Sequence, residues 1–311
     1  MKTSLFTHPI CIEHDPGPMH PECPDRLRAV MAALEDEDFD ALGRCEAPIA
    51  DRALVERVHD RSYVSDIFEK VPDEDRVYLD PDTALCPASG EAALRAAGGA
   101  CAAVDAVMTG KADNAFCAVR PPGHHAERNR AMGFCIFNNV AIAAEHARAA
   151  HGLSRVAVLD FDVHHGNGTQ HTFYDDPGLF FGSSHQWPAY PGTGSVDETG
   201  ADNSNCNVPL APGAGSREFR RAWEGVILPE LASFAPELVI ISAGFDAHAR
   251  DPLANLEVQT EDYGWVTERI MEVADNCCDG HVVSSLEGGY DLQALAASAA
   301  CHVRALMKGE A

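Results

Sequence analysis

The chain has 311 residues, with 23 Lys and Arg against 48 Asp and Glu, a formal net charge of −25 at pH 7. Hydrophobic residues make up 46 %, ample for a core, which excludes wholesale disorder. With Lys only at positions 2, 70, 111 and 308, the chain offers neither the basic surface of a nucleic-acid binder nor a polybasic segment for an anionic membrane. The acidity would draw cationic partners such as Lys/Arg-rich peptides or polyamines, unless it serves only to keep the surface solvated. The 11 Cys are scattered without a C-x-x-C pair and sit mostly in apolar runs, as free thiols do in a reducing compartment. MKTSLFTHPICIEHD lacks the apolar centre of a signal peptide, and no run approaches the ~18 apolar residues of a membrane span. The expectation is a soluble, cytoplasmic protein, with self-association left open.

Residues 1–90 are irregular, and HDPGPMHPECPDR (14–26) and DPDTALCP (80–87) look like long loops, which in compact domains often carry function. From there the pattern alternates. An Ala-rich helix over 91–108 leads into a strand at 115–119, and a helix over 138–150 into a strand at 156–161. A short apolar run follows at 179–183, then a helix over 217–234, a strand at 238–242, a helix over 261–277, a strand at 282–286 and a closing helix over 292–307. Strands alternating with helices imply right-handed crossovers and a mostly parallel sheet covered on both faces. No repeat or linker divides the chain, so residues 1–311 are expected to form one three-layer α/β/α domain.

Open parallel sheets bind ligands beyond the carboxyl ends of their strands. Those positions hold RPPGHHA with His124 and His125, LDFDVHHGNG with Asp160, Asp162, His164, His165 and Asn167, SAGFDAHARDP with Asp246 and His248, and LEGGYD with Glu287 and Tyr290. Asp162 and His164 are spaced i, i+2, so an extended segment points both to one face, where they can share a cation. Asp246 would be the third ligand, leaving a position open for water as catalytic zinc sites require. Nitrogen and oxygen donors suit Zn²⁺ without excluding Fe²⁺, Co²⁺ or Mn²⁺. Beside a metal, His124 and His125 could move protons, with Asp160 and Asn167 orienting the rings. The carboxylate should raise its histidine's pKa more than the amide does, separating acid from base. Tyr290, after two glycines, could donate to an oxyanion. Together these groups describe hydrolysis of an amide or ester. Each also has an ordinary reading, as a backbone-bonded loop histidine or a helix-start tyrosine.

At these residues the sequence resembles the zinc-dependent histone deacetylase superfamily, which includes acetylpolyamine amidohydrolases and shares the arginase-like α/β fold. The matching stretches are HPECPDR (20–26), RPPGHHAERNRAMGFCIFNNVAIAA (120–144), VAVLDFDVHHGNGTQH (156–171), SAGFDAHARDPL (242–253) and LEGGYDL (286–292). Their wording is nearer class II than class I, and Asn167 in place of an aspartate is a class II trait. The resemblance implies Asp162, His164 and Asp246 as zinc ligands, His124 and His125 as the catalytic pair with His125 the principal base and acid, and Tyr290 polarising the carbonyl. It implies Gly133, Phe134 and Tyr190, the last where many relatives carry Phe, as walls of an acyl-lysine channel, with Asp82 near a loop acid that grips substrate backbone. It implies a buried K⁺ at Asp160, Ser183 and the backbone of Asp162, His164 and Ser184. The loop 183–194 is a variant of its own. Polyamine-selective relatives often place Glu after the Asp-Pro that follows the third ligand, and here Leu253 stands there, favouring acyl-lysine peptides. An acetylpolyamine or other small-amide hydrolase is the alternative, and a non-catalytic acyl-lysine binding module a second.

Overall fold

In the computed structural model, which describes residues 1–308, strands β1 (Thr3–Thr7) and β2 (Gly43–Glu46) come first, and β3 (Val77–Tyr78) and β4 (Ala84–Leu85) form a separate antiparallel hairpin. Strands β5 (Asn114–Cys117), β6 (Val156–Asp160), β7 (Leu179–Gln186), β8 (Asn205–Leu210), β9 (Leu238–Ala243) and β10 (Val282–Leu286) follow. All but the hairpin join in one eight-stranded sheet of order β2-β1-β5-β10-β9-β6-β7-β8. Every pairing in it is parallel.

Parallel sheets must be covered on both faces, so their inner strands read as continuous apolar runs. Strands β5, β6, β7, β9 and β10 are buried at every residue, whereas the edge strands β2 and β8 are only partly buried. The helices Ser89–Met108 and Asn139–His151 pack on each other, the first against β1, β5 and β10 and the second against β6 and β9. The helices Thr260–Cys278 and Leu292–Lys308 pair likewise, and Pro24–Ala33 lies against the last. The expected single α/β domain with a flanked parallel sheet is what the chain forms, and all eleven cysteines are unpaired.

Three expectations need correction. The first 90 residues are more regular than their composition suggests: they supply two sheet strands and the helices Pro24–Ala33 and Arg61–Lys70. The stretch 183–194 is not all loop, because its first four residues continue β7, held by backbone pairing to β8. The helix expected over 217–234 runs as Ser216–Ala222 and Leu228–Phe234, joined by a widened π-type turn at Trp223–Ile227. Pro229, at the start of the second piece, has no N–H to donate back into that turn.

Candidate active site

The four central strands β5, β10, β9 and β6 are neighbours in space, and the loops leaving their carboxyl ends carry the polar residues singled out above. Beyond β6, Asp162 and His164 do face one way: Asp162 Oδ1 lies 3.2 Å from His164 Nδ1. The loop after β9 brings Asp246 Oδ2 to 3.1 Å from the same nitrogen, and the three donor atoms lie within 4.8 Å of one another. Asp162 and Asp246 are 1 % and 0 % exposed, while His164 keeps 12 % of its side chain open. Backbone N–H groups hold the carboxylates in place: Val163 donates to Asp246 and Gly288 to Asp162. Gly288 is required there, since a Cβ would run into both carboxylates.

Two buried acids this close need a cation. Burial, then the charge of Asp162, pushes Asp246 up to about 7. Burial works against the charge of His164 as well, but Asp162 and Asp246 carry that ring up to about 10. Among the described residues no Lys or Arg bonds to either carboxylate, and a proton on His164 is the local substitute for a metal. One nitrogen and two oxygen donors, partly open on the His164 side, fit a divalent ion such as Zn²⁺.

The twin histidines after β5 stack with ring centroids 4.0 Å apart. His124 Nδ1 donates to Asp160 Oδ2 at 2.9 Å, and its Nε2 lies 3.7 Å from Asp162. His125 Nδ1 donates to Asn167 Oδ1 at 2.8 Å. Burial disfavours charge on both rings. For His124 the carboxylates of Asp162 and Asp160 overcome it and hold the pKa well above the ordinary histidine value. For His125 burial prevails, reinforced by the charges of His124 and His164, and the pKa sits well below that value.

Tyr290 is placed by its backbone. Its N–H donates to Asp251 at 2.7 Å, and Arg26 donates to the carbonyls of Gly289 and Glu287 at 2.6 and 2.5 Å. The Arg26 guanidinium lies 4.9 Å from the Tyr290 ring centre. Burial raises the phenol's pKa well above its usual value, with the charges of Asp246 and Asp162 adding to it against Arg26, so the hydroxyl stays a donor. Phe134 packs edge-on against Tyr290 at 5.8 Å, and Tyr190 edge-on against His125 at 5.2 Å and beside His164 at 6.2 Å. Gly133 and Phe134 both have positive φ, 57° and 69°, in the turn that aims the aromatic ring. Asp82 lies next door, where Thr83 Oγ1 accepts from the Phe134 N–H. Leu253 is 40 % exposed, and its N–H donates to Asp251, the residue that anchors Tyr290.

Not every candidate joins this cluster. His165 bonds to Thr193 and Gln170, and His248 to Thr260. Around the expected K⁺ position Ser183 Oγ bonds His185 and Asp160 bonds His124, and the ion itself stays an expectation.

The supporting charges had no role in the sequence reading. Glu287, wholly buried, accepts from the N–H groups of Gly123 and His124 and so holds the histidine turn, with burial pushing its pKa up to about 7. Glu22 ties Arg26 to Arg120, and Arg120 also donates to the carbonyls of Cys11 and His14. All of them lie inside the matched stretches, but nothing in a stretch of sequence names a partner far away along the chain.

A model described as "Histone deacetylase domain" matches residues 20–306. "Histone deacetylase 14, chloroplastic" of Arabidopsis thaliana is 39 % identical over 93 % of this chain and 73 % of its own length. "Histone deacetylase-like amidohydrolase" of Pseudomonas aeruginosa is 37 % identical, covering 93 % of this chain and 82 % of its own. "Probable deacetylase" of Methanothermobacter thermautotrophicus is 42 % identical, covering 92 % and 86 %. Among solved structures, the "HDA15 HD domain" superposes with a TM-score of 0.93 at 35 % identity over 99 % of this chain and 89 % of that one. No helix among the described residues is long and apolar enough to cross a membrane. By fold and by sequence the chain belongs to the histone deacetylase family, a hydrolase of the deacetylase and amidohydrolase kind.

Proposed function

We propose that the chain is a Zn²⁺-dependent hydrolase that removes acetyl or a related acyl group from lysine side chains in peptides or proteins. The observation that carries this reading is the convergence of Asp162, His164 and Asp246 beside two imidazoles of opposite basicity. Zinc held by those three residues supplies Lewis acidity, polarising an amide carbonyl and lowering the pKa of water. His125 is the base. Its Nδ1–H is committed to Asn167, which leaves the Nε2 lone pair free, and its low pKa keeps it neutral until it takes the proton of the attacking water. The same proton then goes to the leaving amine. His124, held protonated between Asp160 and Asp162, is a fixed positive charge that steadies the buried carboxylates. Tyr290 donates its hydroxyl hydrogen to the carbonyl oxygen as negative charge grows there. The rings of Phe134 and Tyr190 would flank an unbranched alkyl chain and shed water from it.

Release of the carboxylic acid, acetate or its longer homologue, from acetyl-lysine peptides, longer acyl-lysine peptides and acetylputrescine, with and without chelator, tests the reading. The expected result is turnover on an acyl-lysine peptide, abolished by chelation and restored by Zn²⁺. Chelator-insensitive turnover would refute the metal role, and bound peptide without acetate release would refute catalysis. A faster rate on acetylputrescine would favour the polyamine alternative, which the net charge of −25 supports and Leu253 opposes.

A further inference from the structure

A second group of metal-type donors lies away from this site, on the outer helix layer. Asp105 is in the last turn of the helix Ser89–Met108, while His146 and His151 are in the last two turns of Asn139–His151. Both imidazoles aim Nε2 at one atom, Asp105 Oδ1, at 2.8 and 2.7 Å. The three donor atoms lie within 4.8 Å of one another, as in the candidate active site. The side chains are 51 %, 12 % and 18 % exposed, so water can complete a coordination shell.

The geometry points to a second divalent-metal site at Asp105, His146 and His151, for an ion such as Zn²⁺, Co²⁺, Ni²⁺ or Cu²⁺. With metal–ligand bonds of about 2.0–2.2 Å, two ligands at right angles stand ~2.9 Å apart, close to both His–Asp105 spacings, and the two imidazole nitrogens lie within 4.8 Å of each other. Two imidazoles and one carboxylate select borderline transition ions over Mg²⁺ or Ca²⁺, which prefer all-oxygen shells. Both helices bring their carboxyl-terminal ends here, and the negative ends of the two helix dipoles favour a cation. The nearest basic residue on the same turn, Arg148, is turned to Asp176 at 2.7 Å. An ion there would clamp one helix to the other, with more than one coordination position left to water, and it would exchange more readily than an ion in the buried site.

Calorimetric titration of chelator-stripped protein with ZnCl₂ is the test. Wild type should show two classes of site, and the double variant His146→Ala/His151→Ala should lose the weaker one. Outer-shell changes alone cost about 10–100-fold in metal affinity, so a single Asp105→Asn should weaken that class at least about tenfold. An Asp246→Ala variant should keep the weaker class while losing the tighter, which separates this site from the candidate active centre. NiCl₂ should raise the melting temperature of Asp246→Ala protein and leave that of an Asp246→Ala/His146→Ala/His151→Ala variant unchanged. Equal binding by wild type and by His146→Ala/His151→Ala, or loss of both classes in Asp246→Ala, would overturn the assignment.

Discussion

The two sides of the candidate active site begin from the same side chain and end with opposite chemistry. On one, His124 leans on the carboxylate of Asp160, and on the other, His125 leans on the amide of Asn167, with the rings 4.0 Å apart. Burial is near-complete for both, so desolvation cannot tell them apart. The difference lies in the charges around each ring: Asp162 and Asp160 raise His124, whereas His125 has the neutral amide of Asn167 and is repelled by His124 and His164. In the proposed reaction, a pair that holds one proton and accepts another needs this asymmetry more than it needs either histidine to be unusual.

The strongest way to break the comparison is to remove each ring in turn. His125→Ala should lower kcat/KM by about 10²–10⁴, the range of a proton-transfer group, and His124→Ala by distinctly less. Acetate-release kinetics on one peptide would decide it, and equal losses would mean that the two rings share the work. Tyr290→Phe, which keeps the ring against Phe134 and removes only the hydroxyl, should cost about 10²–10³ in kcat with Zn²⁺ content unchanged by metal analysis. Near wild-type turnover would remove the tyrosine from the reaction.

Asn167→Asp makes the two sides alike. A carboxylate in that place raises the pKa of His125, so the acid limb of the kcat/KM profile should move to higher pH, with about a tenfold loss in the shifted window. An unmoved limb would show that the amide does not set the basicity. The same rule extends to histidines remote from the site. His59 and His185 rest near 4 and His302 near 3, in each case because burial opposes the charge. Hydroxyls and carbonyls are their bonded oxygens: Glu127 O for His59, Ser183 and Gly194 O for His185, Thr267 and Ser284 for His302. Their folded pKa values lie below the unfolded ones. The unfolded chain therefore takes up protons first as pH falls below about 6.5, and stability drops by at most about 1.4 kcal/mol per histidine per pH unit until the folded pKa is reached. Melting temperatures from pH 7 to 5 should fall, and less steeply in a His302→Gln variant that stays folded.

The inner strands were readable because a parallel sheet covered on both faces demands mostly apolar runs, and VAVL at 156–159, LVII at 238–241 and the start of 282–286 supply them. Strand β8, Asn205–Leu210, carries polar residues along a sheet edge and left no such signal. The grouping of Asp162, His164 and Asp246 with the twin histidines and Tyr290 was readable because strand ends in open sheets are where chemistry collects. Glu22, Arg26, Arg120 and Glu287 appeared only as letters within motifs. The bond from Arg26 to Gly289 spans 263 residues and the pair Arg120–Glu22 spans 98, distances over which no local pattern carries information.

That long bond has a consequence for how the protein is made. Arg26 leaves the ribosome some 260 residues before the carbonyls that it grips, on Glu287 and Gly289. Until then two arginines and a glutamate destined for a dry interior have only part of their lattice. A nascent chain should therefore remain chemically inert until its final strand joins the sheet, so that competence arrives in one late step.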